Sequence, residues 1–319
     1  MPARAKIGCM GELLVEFVCA QRNGRHLVPG SYTGPFPSGA PGIFIDQAAR
    51  VGGKAVFVGA VGDDAFGQVL LERLRRDGVE TSLIAIAPGI PTGTAFVSYN
   101  EDGSRDFVYN IAQSAASRFE TGEVMIAKLV EFGLDVMHVS GSALGDNAMA
   151  AKIVRSCQAL HGKGVRISFD PNIRKELMGS PAYLEAVRTI LGLARIFLPS
   201  EEDAAVLFPG QSLDEFAAGL FATGIEHVVL KRGERGAAGL ARTGERAGVM
   251  AHKVDVVDPT GAGDCFCATF VTLLASGSHD FGSALVRANA AGALAVGKLG
   301  PMEGNSTLAG IEAFLAARK

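Results

Sequence analysis

At 319 residues, with 48% hydrophobic and 20% charged side chains, the chain can bury a large core and has the balance of a packed globular enzyme rather than a disordered or fibrous protein. Its net charge of −3 and scattered Lys and Arg leave no basic footprint, so DNA and RNA are not expected partners. No run approaches the ~18 apolar residues of a membrane span, and Met1 to Lys6 leads into Ile7-Gly8-Cys9-Met10 without the apolar stretch of a signal peptide; a cytoplasmic location with no membrane partner is expected.

In chain order, short apolar runs alternate with amphipathic stretches. Ala55 to Gly59, Val136 to Val139, Arg166 to Phe169, Arg195 to Leu198 and Val228 to Lys231 read as buried parallel strands, because they are apolar without strict alternation. Ala65 to Asp77, Ala148 to His161, Pro181 to Leu193, Leu213 to Thr223 and Ser283 to Lys298 carry helical periodicity. The pattern predicts an α/β fold with a doubly wound, mainly parallel sheet flanked by helices. Two regions break the alternation, about 12–35 and 92–112, with Asp102-Gly103 as a hairpin signal between Thr94 to Tyr99 and Arg105 to Tyr109. They read either as a small β-sheet lid inserted in one domain spanning 1–319 or as an ordinary edge hairpin. An exposed lid edge would invite pairing with a second copy, so a homodimer through the lid is expected. Cys9, Cys19, Cys157, Cys265 and Cys267 lack CxxC spacing and sit among apolar neighbours, which predicts reduced, mostly buried thiols.

The chemistry concentrates in Asp258-Pro259-Thr260-Gly261-Ala262-Gly263-Asp264, after the apolar run Val254 to Val257 and before the helix-like Cys265 to Ala275. A Gly-Ala-Gly turn at a helix start offers unpaired N–H groups and positive potential to an anion. A carboxylate directly behind it, Asp264, is either dipole compensation or a general base for an attacking hydroxyl. Further polar clusters follow the strand-like runs: Asp170 to Arg174, Ser200 to Asp203 and Lys231 to Gly236. Ligands bind outside the carboxyl ends of such strands. No Walker A pattern occurs, so a phosphate grip must come from the Gly-rich element.

From Gly11-Glu12 to Leu308-Ala309 the chain resembles the ribokinase-like carbohydrate kinases, also called the PfkB family. Asp258 to Asp264 matches that family's C-terminal signature, and Ser38-Gly39-Ala40-Pro41 with Ala49-Arg50-Val51-Gly52 resembles its N-terminal one; Gly62-Asp63-Asp64-Ala65-Phe66-Gly67 matches as well. The resemblance implies Asp264 as general base, the backbone of Gly261, Ala262 and Gly263 as anion hole, and Lys231, Gly233, Gly236 and Asn289 at an ATP site. It implies Glu12, Ser38, Gly39, Ala40, Tyr109, Asp170 and Arg174 as sugar contacts. Ser200 to Asp203 resembles the family's Asn-x-x-Glu magnesium motif with Ser200 and Asp203 substituted, so Asp203 is the candidate near Mg2+, and a monovalent cation such as K+ is implied beside Asp258.

The acceptor follows from departures. Gly11 to Phe17, Ser114 to Ser117 and Asp170 to Arg174 look like the fructokinase and 2-keto-3-deoxygluconate kinase branch, whose keto-acid enzymes usually carry an arginine soon after the tyrosine matched by Tyr109. Here Asn110 and Ile111 follow, leaving Arg174 as the candidate partner of a carboxylate. The family's Gly-Gly-Ala-Pro-Ala-Asn is Ser38-Gly39-Ala40-Pro41-Gly42-Ile43, and the run on to Gln47 resembles tagatose kinases. Asp46 or Gln47 would then replace the missing Asn at the sugar, or serve helix packing or solvent. The reading is an ATP-dependent kinase of a neutral ketohexose such as tagatose or fructose. The alternatives are a 2-keto-3-deoxygluconate kinase and a non-catalytic sugar-binding regulator, against which the intact Asp264 and Gly261 to Gly263 argue. A dehydrogenase would need a third glycine that Ile7 to Glu12 lacks.

Overall fold

The computed structural model describes residues 4–102, 104–173 and 177–318. The chain opens with β1 (Lys6–Met10), crosses to a small sheet as β2 (Leu14–Cys19) and β3 (Tyr32–Ser38), and returns through α1 (Ala40–Arg50) to β4 (Lys54–Gly62). Helix α2 (Ala65–Arg76), β5 (Val79–Glu80) and β6 (Ile84–Ala87) follow, then β7 (Gly93–Tyr99) and β8 (Arg105–Asn110) rejoin the small sheet. The remainder alternates: α3 (Glu123–Phe132), β9 (Val136–Ser140), α4 (Asn147–His161), β10 (Arg166–Asp170), α5 (Pro181–Leu193), β11 (Ala194–Phe197), α6 (Glu201–Leu207), α7 (Leu213–Ala222) and β12 (His227–Lys231). A hairpin, β13 (Ala237–Ala241) with β14 (Arg246–Val249), precedes α8 (Ala262–Ala275), α9 (Phe281–Ala295) and α10 (Leu308–Ala316).

The main sheet has the order β14-β13-β12-β11-β10-β9-β1-β4-β5, with β6 also pairing β4. Its centre is parallel and only the β12–β13–β14 edge is antiparallel. The doubly wound reading therefore holds, and so does a separate β sheet, of order β3-β2-β7-β8. One core face packs Phe44, Leu70, Phe270 and Phe281 from α1, α2, α8 and α9; the other packs Leu129, Ile153, Tyr183 and Phe216 from α3, α4, α5 and α7. Helices on both faces are what near-continuous apolar strands require. All five cysteines are free and buried.

One local feature differs from the sequence pattern. The apolar Val254 to Val257 forms no strand; β13–β14 already closes that edge, and Val257 instead donates its N–H to the Val296 carbonyl at 2.8 Å, with Val256 62% exposed. β7 and β8 pair antiparallel on either side of the hairpin signal, of which Gly103 lies outside the described residues.

Candidate active site

Strand order places the site before any side chain is considered. From β1 the sheet grows one way through β4 and the other through β9 and β10, so the switch lies at β1–β9, where strand-end loops diverge and leave a crevice. Glu12 follows β1, Ser142 follows β9, Asp170 and Asn172 close β10, Ser200 follows β11 and Lys231 ends β12. All of them line one cleft of about 690 Å3, together with Ser38, Gly39, Ala40, Tyr109, Asp203, Gly261, Gly263 and Asp264.

The floor is the start of α8. Gly261 is its N-cap, with φ 83, and no side chain caps the helix, so its first N–H groups remain for a ligand. A side chain at Gly261 would strike the Pro301 carbonyl at 2.6 Å, besides needing a left-handed backbone. Asp258 is fully buried: Oδ1 accepts the Thr260 N–H at 2.9 Å and the Tyr99 hydroxyl, and Oδ2 accepts the Gly300 N–H at 3.0 Å. That carboxylate fixes the turn leading into Gly261. Asp264, 8% exposed in the first turn, faces the same cleft as the N–H groups around it.

The wall opposite is rich in carboxylates. Gly39, with φ 100, lets the start of α1 press on Glu12, whose carbonyl lies 2.7 Å from where a Cβ would stand. Glu12 Oε1 accepts from Ser142 Oγ at 2.7 Å, and Ser142 Oγ lies 3.1 Å from Ser140 Oγ. Glu16 of β2 accepts from Ser38 Oγ at 3.3 Å, while its Oε1 is buried with no hydrogen-bond partner. Burial, reinforced by the Asp258 charge, pushes the Glu16 carboxyl from 4.5 to about 7. From the small sheet, β8 presents Arg105, Phe107 and Tyr109 to the cleft, alternate residues on one strand face.

At the far end, Lys231 is ion-paired with Asp170, and Nζ also lies 3.5 Å from Cys267 Sγ. Burial opposes the ammonium charge, but the Asp170 carboxylate outweighs it and holds the Lys231 proton far above its ordinary range. Asp203 spends its oxygens on the Ile173 N–H at 2.8 Å and, as a capping box, on Ser200 N–H and Oγ at 2.8 and 2.7 Å. Gly233 and Gly236 form the turn from β12 into β13, off the cleft lining, and Asn289 of α9 donates to the Met250 carbonyl at 2.9 Å. Arg174 lies outside the described residues. Asp46 and Gln47 do not reach the cleft: Asp46 pairs with Arg73, and Gln47 bonds Thr269 Oγ1 and Ser306. Sequence reasoning did not single out Arg105, Ser142 or Glu16 as lining residues, and Asn172 entered only within the Asp170 to Arg174 cluster; the two-residue period of β8 around Tyr109 was the signal for Arg105.

The cleft carries seven acidic side chains against two described cations, Arg105 and Lys231, so a polyphosphate would enter it only with compensating positive charge. Among the described residues no three metal-ligating side chains cluster.

The description of pfkB family carbohydrate kinases matches residues 4–308. The chain belongs to the pfkB family of carbohydrate kinases. This carbohydrate kinase is 31% identical over 298 residues to a probable chloroplastic fructokinase-6 of Arabidopsis thaliana, covering 90% of this chain and 76% of the relative. Its fold matches a solved putative ribokinase II from E. coli in complex with ATP and Mg2+ with TM-score 0.90 at 37% identity, over 98% of this chain and 99% of the other. A double mutant of fructokinase from Vibrio cholerae O395, with fructose, ADP and potassium ion, matches with TM-score 0.81 at 26% identity over 99% of each chain. The enzyme is therefore a sugar phosphotransferase.

Proposed function

We propose that the enzyme transfers the γ-phosphoryl group of Mg-ATP to a hydroxyl of a neutral ketohexose such as fructose or tagatose. The observation that carries this reading is the placement of Asp264 and the uncapped start of α8 in one cleft with Glu12, Glu16 and Ser38. Asp264 takes the proton of the attacking hydroxyl, while the N–H groups around Gly261, Ala262 and Gly263 stabilise charge on the transferring group. Mg-ATP would supply the electrophilic phosphorus; Lys231, Gly233, Gly236 and Asn289 would hold the nucleotide, Asp203 would lie near its metal and Asp258 near a monovalent cation. Glu12 and Glu16 accept hydrogen bonds from sugar hydroxyls and repel a carboxylate, which favours a neutral acceptor. A keto-acid would require Arg105 or Arg174 to offset them. The lid strands β7 and β8 cover the sugar and exclude water, the competing acceptor.

The test is nucleotide consumption with Mg-ATP against fructose, tagatose, other ketoses, ribose, 2-keto-3-deoxygluconate and adenosine, with sugar-free controls. Turnover highest on a neutral ketohexose supports the reading, and preference for the keto-acid overturns the neutral-acceptor part. Asp264→Asn should lower kcat by about 10²–10⁴-fold. A folded variant of near-wild-type kcat removes Asp264 from the mechanism.

A further inference from the structure

Two residues of the small sheet hydrogen-bond the turn that leads into Gly261, beside Phe36 of β3, which packs on Gly300. Tyr99, the last residue of β7, donates its hydroxyl to Asp258 Oδ1 and lies 3.2 Å from Thr260 Oγ1. Arg105, paired with Tyr99 across the β7–β8 register, donates from Nη1 to the same Thr260 Oγ1 at 3.3 Å. Two side chains of one cross-strand pair thus converge on the residue immediately before Gly261. Tyr99 does not itself line the cleft.

What the hydroxyl holds is the support of the anion hole. Asp258 ties together the two backbone segments beside Gly261: the turn at Thr260 through one oxygen, and Gly300 through the other. Pro301, next in chain, packs its carbonyl against Gly261. Among the described residues, Tyr99 is the side-chain hydrogen-bond donor to Asp258, and it belongs to the lid rather than to the main sheet. The other two donors are backbone groups of the segments Asp258 organises. A lid strand displaced by about an ångström would break this bond and leave a buried carboxylate short of a partner.

We propose that Tyr99 is a positioning residue for phosphoryl transfer: through Asp258 and Thr260 it couples the seating of the lid hairpin to the geometry of the Gly261–Gly263 backbone. Sugar under a closed lid thereby meets a formed anion hole, and an open lid leaves that hole loosened, which suppresses transfer to water. Arg105 reinforces the same tether on Thr260.

The inference rests on the kinase reading above only where turnover is measured, so the first arm uses ligand-free protein. In Tyr99→Phe, amide hydrogen exchange in peptides covering 258–264 should accelerate about tenfold or more, with the C-terminal half of α8 unchanged; unchanged exchange at 258–264 overturns the coupling whatever the enzyme's substrate. In the second arm, on the sugar that the wild type turns over best, Tyr99→Phe should lower kcat about 10- to 100-fold with KM for sugar and Mg-ATP within about threefold. Thr260→Val, which leaves Asp258 all three donors, should act the same way and serves if Tyr99→Phe fails to fold. The double variant should be no slower than the slower single one. A loss expressed in KM, a kcat within twofold of wild type, or losses that multiply in the double variant would each refute the tether.

Discussion

Glu16→Gln separates the electrostatics of the cleft from its packing. The carboxyl is 3% exposed, one oxygen lacks a partner, and the group titrates at about 7 in the fold against an ordinary 4.5. Between those two values the native protein binds more protons than the unfolded chain, so its stability falls as pH rises through that window. The shift corresponds to about 3 kcal/mol when the group is fully ionised, from ~1.4 kcal/mol per pH unit of displacement. For a chain of this length the unfolding entropy is about 0.7 kcal/mol per degree, so the penalty is worth about 4–5 °C in Tm. Gln keeps the shape and removes the charge. Differential scanning calorimetry should therefore find Glu16→Gln about 4–5 °C more stable than wild type at pH 8 and about 1 °C more stable at pH 5. Equal differences at the two pH values, or a variant less stable at pH 8, would show that Glu16 is not held against its charge. Saturating sugar should narrow the wild-type deficit at pH 8, because hydroxyls donated to the carboxylate favour its ionised form.

Two further outcomes follow from the end of β12. Lys231→Met leaves Asp170 buried without its counter-ion, a loss of about 3–5 kcal/mol, so Tm at pH 8 should drop by about 4–7 °C. The deficit should shrink on acidification as Asp170 takes up a proton, and a deficit independent of pH contradicts the ion pair. In the β12–β13 turn, Gly233→Ala meets no atom within 4 Å and should cost about 1–2 kcal/mol for its left-handed backbone, read as about 1–3 °C. Gly236→Ala would place a Cβ 1.9 Å from the Val249 carbonyl and should lose soluble protein altogether; similar Tm values for the two variants would mean the turn is not as tight as described.

The parallel strands were legible because burial on both faces leaves continuous apolar runs: β9, β10 and β12 fall within a residue or two of where the hydrophobic pattern puts them. The separate β3-β2-β7-β8 sheet was legible from alternation and turn residues. The β13–β14 edge was not, since Ala237 to Ala241 and Arg246 to Val249 are short, Gly- and Ala-rich and only half-buried on the outer strand. Within the cleft, the glycine turn and Asp264 were readable as a contiguous motif, whereas Glu16 and Ser142 join them only through sheet order. Asp46 and Gln47 show the limit of reasoning from a motif's neighbourhood. Both stand one helical turn beyond the family's sugar-contacting positions, yet both turn away from the cleft, because α1 buries that face against α2 and the segment after α9. There Arg73 binds Asp46 and the Met302 carbonyl, and Asn305 bonds Asp46 Oδ2 at 2.6 Å.

That buried network bears on the site from behind. Asp46, Arg73 and Asn305 hold residues 302–305, while Asp258 and the Gly261 backbone are braced by residues 300 and 301, so one short segment is anchored at both ends. On the proposed reading the anion hole thus has one support on the side of α1 and α2 and another, Tyr99, on the side of the small sheet. On that reading the division orders the reaction. The first support keeps the helix start open to phosphate in the ligand-free protein, and only the seated lid adds the last constraint beside Asp264. The acidic wall of Glu12 and Glu16 works in the same sense: it draws hydroxyl donors to the lid side and repels phosphate from it, so the transferring group meets the sugar at Asp264 and not elsewhere in the cleft.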